Sequence, residues 1–175
     1  MQYAHGEFII TRCGDAVLTQ AYGPWNKECV NSFAGEYRTH SESLHGQTWC
    51  DIVCVIGESL LIPDAETLLH ERVASVNPIG LTHVALVMGE SSVRATTQAQ
   101  LKRVYRDTNI EYVFVNSVED AVEWLSSKGF TVDQEGIDAH RDKVSMKLYG
   151  KLGTHFATSY NICITLFDET RRYYE

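Results

Sequence analysis

Apolar residues along the chain follow two alternating patterns, short continuous runs and stripes with helical spacing. Runs such as TWCDIVCVIG and LTHVALVMG are typical of strands that are buried on both faces. From Trp25 to Tyr37 an apolar residue recurs every fourth position, which predicts an amphipathic helix. Continued to Gly129, the pattern predicts the order β-β-α-β-α-β-α-β-α. This order indicates an α/β domain with a mixed, mainly parallel sheet and four covering helices.

Residues 131–175 follow a different pattern from the first 130. IDAHRDKVSMKLYGKLG has helical character, whereas FATSYNICITLF has the composition of a strand. No linker rich in Pro, Gly or Ser separates the two parts. We therefore expect an α/β domain at 1–130 and a C-terminal extension at 131–175, packed on the domain or on a second subunit. A strand in the extension would need a sheet edge, which predicts a homodimer.

Charge and composition exclude several classes of function. The chain has 15 basic and 23 acidic residues and a net charge of −8, which opposes binding to nucleic acid or an anionic lipid surface. No apolar run approaches the ~20 residues of a membrane-spanning helix, and MQYAHGEFII lacks the pattern of a signal peptide. A cytoplasmic protein without stable membrane insertion is expected.

The five cysteines are expected to be reduced thiols in the core, since no secretory signal accompanies them. Cys50 and Cys54 stand about 13 Å apart if they lie on one strand, which is too far for two ligands of one zinc ion. Signatures of phosphate-binding loops, dinucleotide sites, zinc proteases and serine hydrolases are missing from the sequence. We expect neither a metal nor a cofactor.

Two strands of the predicted sheet run into the same tripeptide, Gly-Glu-Ser. If these strands are neighbours, their carboxylates and hydroxyls meet at the carboxyl edge of the sheet, where ligands of such folds usually bind. There they could orient a polar ligand or carry out acid–base chemistry. Alternatively, they are ordinary polar turn residues. The residues of this predicted rim are Glu58, Ser59, Glu90, Ser91 and Ser92.

Four phrases carry a resemblance to a known family: AYGPWNKECVNSFAGEY, CDIVCVIG, GLTHVALVMGESSVRATTQAQLKRVY and YVFVNSVEDAVEWLSSKG. Together with the element order they resemble the STAS domain, in particular the SpoIIAA-like proteins of bacteria. These proteins share features with lipid-binding domains of the SEC14 type. The resemblance covers about residues 5–129 and implies a STAS-like fold.

The resemblance implies a non-enzymatic regulatory or binding module. In the family, a partner kinase phosphorylates a serine in an Asp-Ser-Ser-Gly turn at a helix N-terminus. Pro63-Asp64-Ala65-Glu66 stands in that place here, so the acceptor hydroxyl is absent and no phosphorylation switch is expected. The module would recognise a protein partner or a small apolar or anionic ligand, with Asp64, Glu66 and the predicted rim as contacts.

Two other functions stay open. The first is a carrier of a lipid or acyl ligand, as in SEC14-type domains, and the second is an enzyme that uses the predicted rim. An apolar cavity lined by Trp25, Phe33 and Trp124 would favour the carrier. A dry core with an exposed segment at 63–66 would favour the partner-binding module.

Overall fold

The computed structural model describes residues 4–147, and five strands in this range form one sheet in the order β1-β2-β3-β4-β5. β1 runs antiparallel to β2 through a hairpin at Gly14, whose φ of +66° suits glycine. β2 to β5 are parallel to one another. The mixed, mainly parallel sheet is thus confirmed. The strands are β1 (Glu7–Cys13), β2 (Ala16–Tyr22), β3 (Trp49–Ile56), β4 (Leu81–Met88) and β5 (Glu111–Val115).

Four helices follow in the predicted order, and local sequence explains where they begin. The Asn26 side chain accepts a hydrogen bond from the Cys29 backbone at the start of the first helix. Pro63 occupies the first turn of the second helix. Ser117 accepts from the Asp120 backbone at the start of the fourth. These helices are α1 (Lys27–Ser41), α2 (Pro63–Val76), α3 (Arg94–Val104) and α4 (Val118–Ser127).

A fifth helix, over residues 134–147, follows the four covering helices and includes the first part of IDAHRDKVSMKLYGKLG, the segment that the sequence predicted to have helical character. Its buried His140 places Nδ1 2.8 Å from the Thr11 hydroxyl of β1. A Cβ atom on Gly136 would come within 2.9 Å of the Arg12 carbonyl oxygen and the Cys13 Cα, so this glycine lets the helix approach β1 closely. The predicted strand FATSYNICITLF and the dimer contact assigned to it lie outside the described residues.

The sheet separates two apolar cores because side chains alternate between its faces along each strand. On one face, residues such as Val17 and Val84 pack with α1, α2 and α3. On the other, Leu18 and Ile52 pack with α4 and the fifth helix. Within residues 4–147, no helix combines the length and apolar character needed to cross a membrane.

Candidate functional site

A cavity of about 510 Å³ lies between the sheet and helices α1, α2 and α3. Its floor is formed by side chains of β2 and β3 that share one face of the sheet, among them Thr19, Ala21 and Val53. Its walls are largely apolar, with Phe33 from α1 and Leu69 from α2. A concave, mostly apolar space of this size with a few polar groups is typical of small-molecule sites.

The cavity is closed at one end and open at the other. At the carboxyl end of the strands its lining residues Trp25, Ser59 and Leu61 are buried. At the opposite end five lining residues are exposed, near the C-terminal ends of α1 and α2. We call this end the mouth; its residues are Arg38, His45, Arg72, Ser75 and Ile79. Between the two ends, β3 runs along the floor from Asp51 to Val55, a distance of about 13 Å.

Asp51 places a carboxyl group on the cavity floor, with 6 % of the residue exposed. The Tyr37 hydroxyl lies 2.8 Å from Oδ1 and 2.9 Å from Oδ2. Trp49 Nε1 in turn donates a hydrogen bond to the Tyr37 hydroxyl at 2.9 Å. Burial raises the pKa of Asp51 to about 8, although its hydrogen bonds to Tyr37 and Trp49 act in the opposite direction. The carboxyl group therefore holds its proton at neutral pH.

Two buried polar atoms of the cavity lining have no hydrogen-bond partner among the described residues. They are the indole Nε1 of Trp25 and the hydroxyl of Thr97. A buried polar group without a partner costs on the order of 1–3 kcal/mol. The neighbouring Gln100 differs, because its side-chain amide forms two hydrogen bonds with the Leu61 backbone, at 3.0 and 2.7 Å. Since neither atom has accessible surface, neither is exposed to the open space of the cavity.

The predicted rim forms only in part. β3 and β4 are neighbours, and the Ser92 hydroxyl lies 3.4 Å from Glu58 Oε1. Both residues are exposed, as is Glu90. Ser91 instead accepts a hydrogen bond from the Val93 backbone at 3.1 Å. Ser59 is buried below the rim, where it donates to the Ile56 carbonyl oxygen and lines the closed end of the cavity.

The two predicted contacts in the first turn of α2 lie away from the cavity lining. Asp64 is exposed. Glu66 forms a two-point ion pair with Arg103 of α3, with distances of 2.5 and 3.0 Å. Hydrogen bonding to Arg103 lowers the pKa of Glu66. The pair therefore joins α2 to α3 on the outside of the domain.

Of the three aromatic residues whose presence in one cavity would favour the carrier, Trp124 does not line the cavity. α4 covers the opposite face of the sheet, where the Trp124 ring lies 5.7 Å from the ring of His83. Trp25 and Phe33 do line the cavity, with their ring centroids 5.2 Å apart.

Sequence reasoning missed the polar residues of the cavity. Asp51 carried a usable signal, because it is the single charged residue in the apolar run TWCDIVCVIG. A carboxyl group in a strand buried on both faces needs a partner or a raised pKa. Thr97, Arg38 and Arg72 carried no such signal, since polar residues on amphipathic helices are ordinary.

The described part of the chain contains no group of three or more His, Cys, Asp or Glu side chains arranged to hold a metal ion. Comparisons of the sequence with protein-family models and curated proteins, and of the fold with solved structures, found no match.

Proposed function

We propose that this protein is a non-catalytic binding module that holds a small, mostly apolar ligand in the cavity between the sheet and α1–α3. The observation that carries the proposal is the cavity itself, which has a volume of about 510 Å³, an apolar wall and an open mouth. The sequence predicted a regulatory or binding module that recognises a small ligand, and it left open a carrier of a lipid or acyl ligand. Both functions require a small-molecule site of this kind. The STAS-like assignment and a regulatory role toward a protein partner remain predictions from the sequence.

The energetics of apolar transfer support this function. Burying one methylene group gains about 0.8 kcal/mol, so a chain of about eight methylenes gains roughly 6 kcal/mol. Part of this gain offsets the loss of translational and rotational freedom on binding.

The proposal is tested with N-phenyl-1-naphthylamine, a neutral apolar dye whose fluorescence rises in an apolar environment. Titration of the purified full-length chain should give saturable binding. In parallel, native mass spectrometry of freshly purified protein should detect any small molecule that co-purifies. The two measurements are independent, because the dye reports the empty cavity and the mass spectrum reports an occupied one.

Substitutions that fill the cavity locate the dye. Ala34 lines the cavity from α1, so Ala34→Phe should abolish binding, and Leu69→Trp on the α2 wall should do the same. Ala74→Phe is the matched control, because Ala74 is exposed on α2 and does not line the cavity. Circular dichroism confirms that each variant is folded. Wild-type affinity in both folded cavity-filling variants would contradict the proposal.

A further inference from the structure

We infer that the ligand is an anionic amphiphile, whose carboxylate or phosphate head is bound at the mouth by Arg38 and Arg72 while its apolar body lies in the cavity. The inference rests on the proposed function and deepens it, since it names the chemical class of the ligand. Three sets of observations support it: the state of the two guanidinium groups, the charge of the cavity lining, and the polarity along the cavity.

The two arginines reach the mouth from different helices, Arg38 from α1 and Arg72 from α2. Within residues 4–147, neither guanidinium forms an ion pair with a carboxylate. Arg72 Nη2 donates to the Asn31 side-chain oxygen at 3.2 Å, which leaves its other N–H groups to bind an anion. Guanidinium groups suit carboxylates and phosphates because they can donate two parallel hydrogen bonds.

The charge of the cavity lining is opposite to that of the whole chain. The net charge is −8, yet the charged side chains of the lining are Arg38, Arg72 and Asp51. Asp51 lies on the buried floor and holds its proton at neutral pH, so the two arginines dominate. The exposed His45 at the mouth adds no negative charge. An acidic protein with a basic mouth favours an anion there and disfavours an amine.

From the mouth inwards, the cavity lining changes from charged to apolar, which matches a ligand with a charged head and an apolar body. The mouth holds the exposed cationic groups, and Ile79 beside them is 42 % exposed. Farther in, Phe33, Leu69 and Leu101 supply apolar walls. An anionic head at the mouth keeps part of its contact with water. It therefore avoids most of the desolvation penalty that it would meet on the cavity floor.

Displacement of N-phenyl-1-naphthylamine tests the inference with three competitors of equal chain length: decanoate, decyl phosphate and methyl decanoate. All are used below their micelle-forming concentrations. The two anions distinguish a carboxylate from a phosphate head, and the ester supplies the same chain without charge. We expect the better anion to bind about tenfold more tightly than the ester, because one or two partly exposed ion pairs contribute about that much. The advantage should shrink as salt is added.

Arg38→Gln and Arg72→Gln should each weaken binding of the anion by about threefold and should change the affinity for the ester much less, because the ester carries no charge. Arg106→Gln is the matched control, because Arg106 is exposed, does not line the cavity and pairs with Asp107. Equal affinities of anion and ester in the wild type, unchanged by either substitution, would overturn the anionic head while leaving the cavity proposal intact. If neither dye, ester nor anion binds, both proposals fail.

Discussion

Replacing Asp51 by asparagine should change how the free energy of unfolding depends on pH. In the folded protein burial raises the pKa of this carboxyl group from its ordinary value of 3.8 to about 8. Between those pH values the folded chain holds a proton that the unfolded chain has released. The free energy of unfolding therefore falls as pH rises through this window, and the contribution of Asp51 is constant below and above it.

The size of the effect follows from proton linkage. One proton held only by the folded state changes the free energy of unfolding by about 1.4 kcal/mol per pH unit. Over the window of about four units given by the two pKa values, the loss is on the order of 5 kcal/mol. Asparagine keeps the shape of the side chain and an oxygen that accepts from Tyr37, but it does not titrate. The variant should lack this pH dependence.

Urea unfolding of the wild type and Asp51→Asn between pH 5 and 9 measures the difference directly. The wild type should lose stability relative to the variant at each step from pH 5 to pH 8, and the difference should then level off. Asp142→Asn is the control, since Asp142 is exposed on the fifth helix. Parallel curves for the wild type and Asp51→Asn would refute the assignment of a protonated carboxyl group to the cavity floor.

Three further predictions concern single residues. Thr97→Val should stabilise the ligand-free protein by about 1 kcal/mol in urea unfolding, because it removes a buried hydroxyl without a partner; a loss of stability would show that this hydroxyl is paired. Burial lowers the pKa of His140 to about 3, so the wild type should lose stability as pH falls from 6.5 toward 3, because the unfolded chain then gains a proton that the folded ring does not. His140→Gln should weaken that acid dependence in the same assay. Glu58→Gln should leave dye binding unchanged, since Glu58 does not line the cavity. A large loss of affinity would show that the predicted rim takes part in binding.

The order of helices and strands could be predicted from the sequence because it depends on local patterns. The periodicity from Trp25 to Tyr37 reports on a few consecutive residues, and the helix that it predicts is present from Lys27 to Ser41. The meeting of Glu58 with Ser92 followed from one additional rule, that the carboxyl ends of parallel strands share an edge.

The cavity could not be predicted in the same way. An amphipathic stripe shows which side of a helix is buried, but it does not show which face of the sheet the helix covers. For that reason the sequence could not show that Trp124 lies on the face of the sheet opposite to Trp25 and Phe33. The space that α1, α2 and α3 leave open depends on side-chain volumes and helix placement together, and neither is visible in a local pattern. Arg38 and Arg72, which are 34 positions apart in the sequence, line one cavity because α1 and α2 pack side by side.

The position of Trp25 in the cavity wall gives the protein its own optical reporter. Of the three tryptophans, Trp49 has its Nε1 bonded to Tyr37, and Trp124 is on the far side of the sheet. Trp25 alone combines a place in the cavity lining with an indole N–H that has no partner among residues 4–147. A molecule that enters should therefore change the wavelength and intensity of emission from this indole. Substituting the other two tryptophans by phenylalanine would leave a single-tryptophan protein in which occupancy is recorded without any added dye.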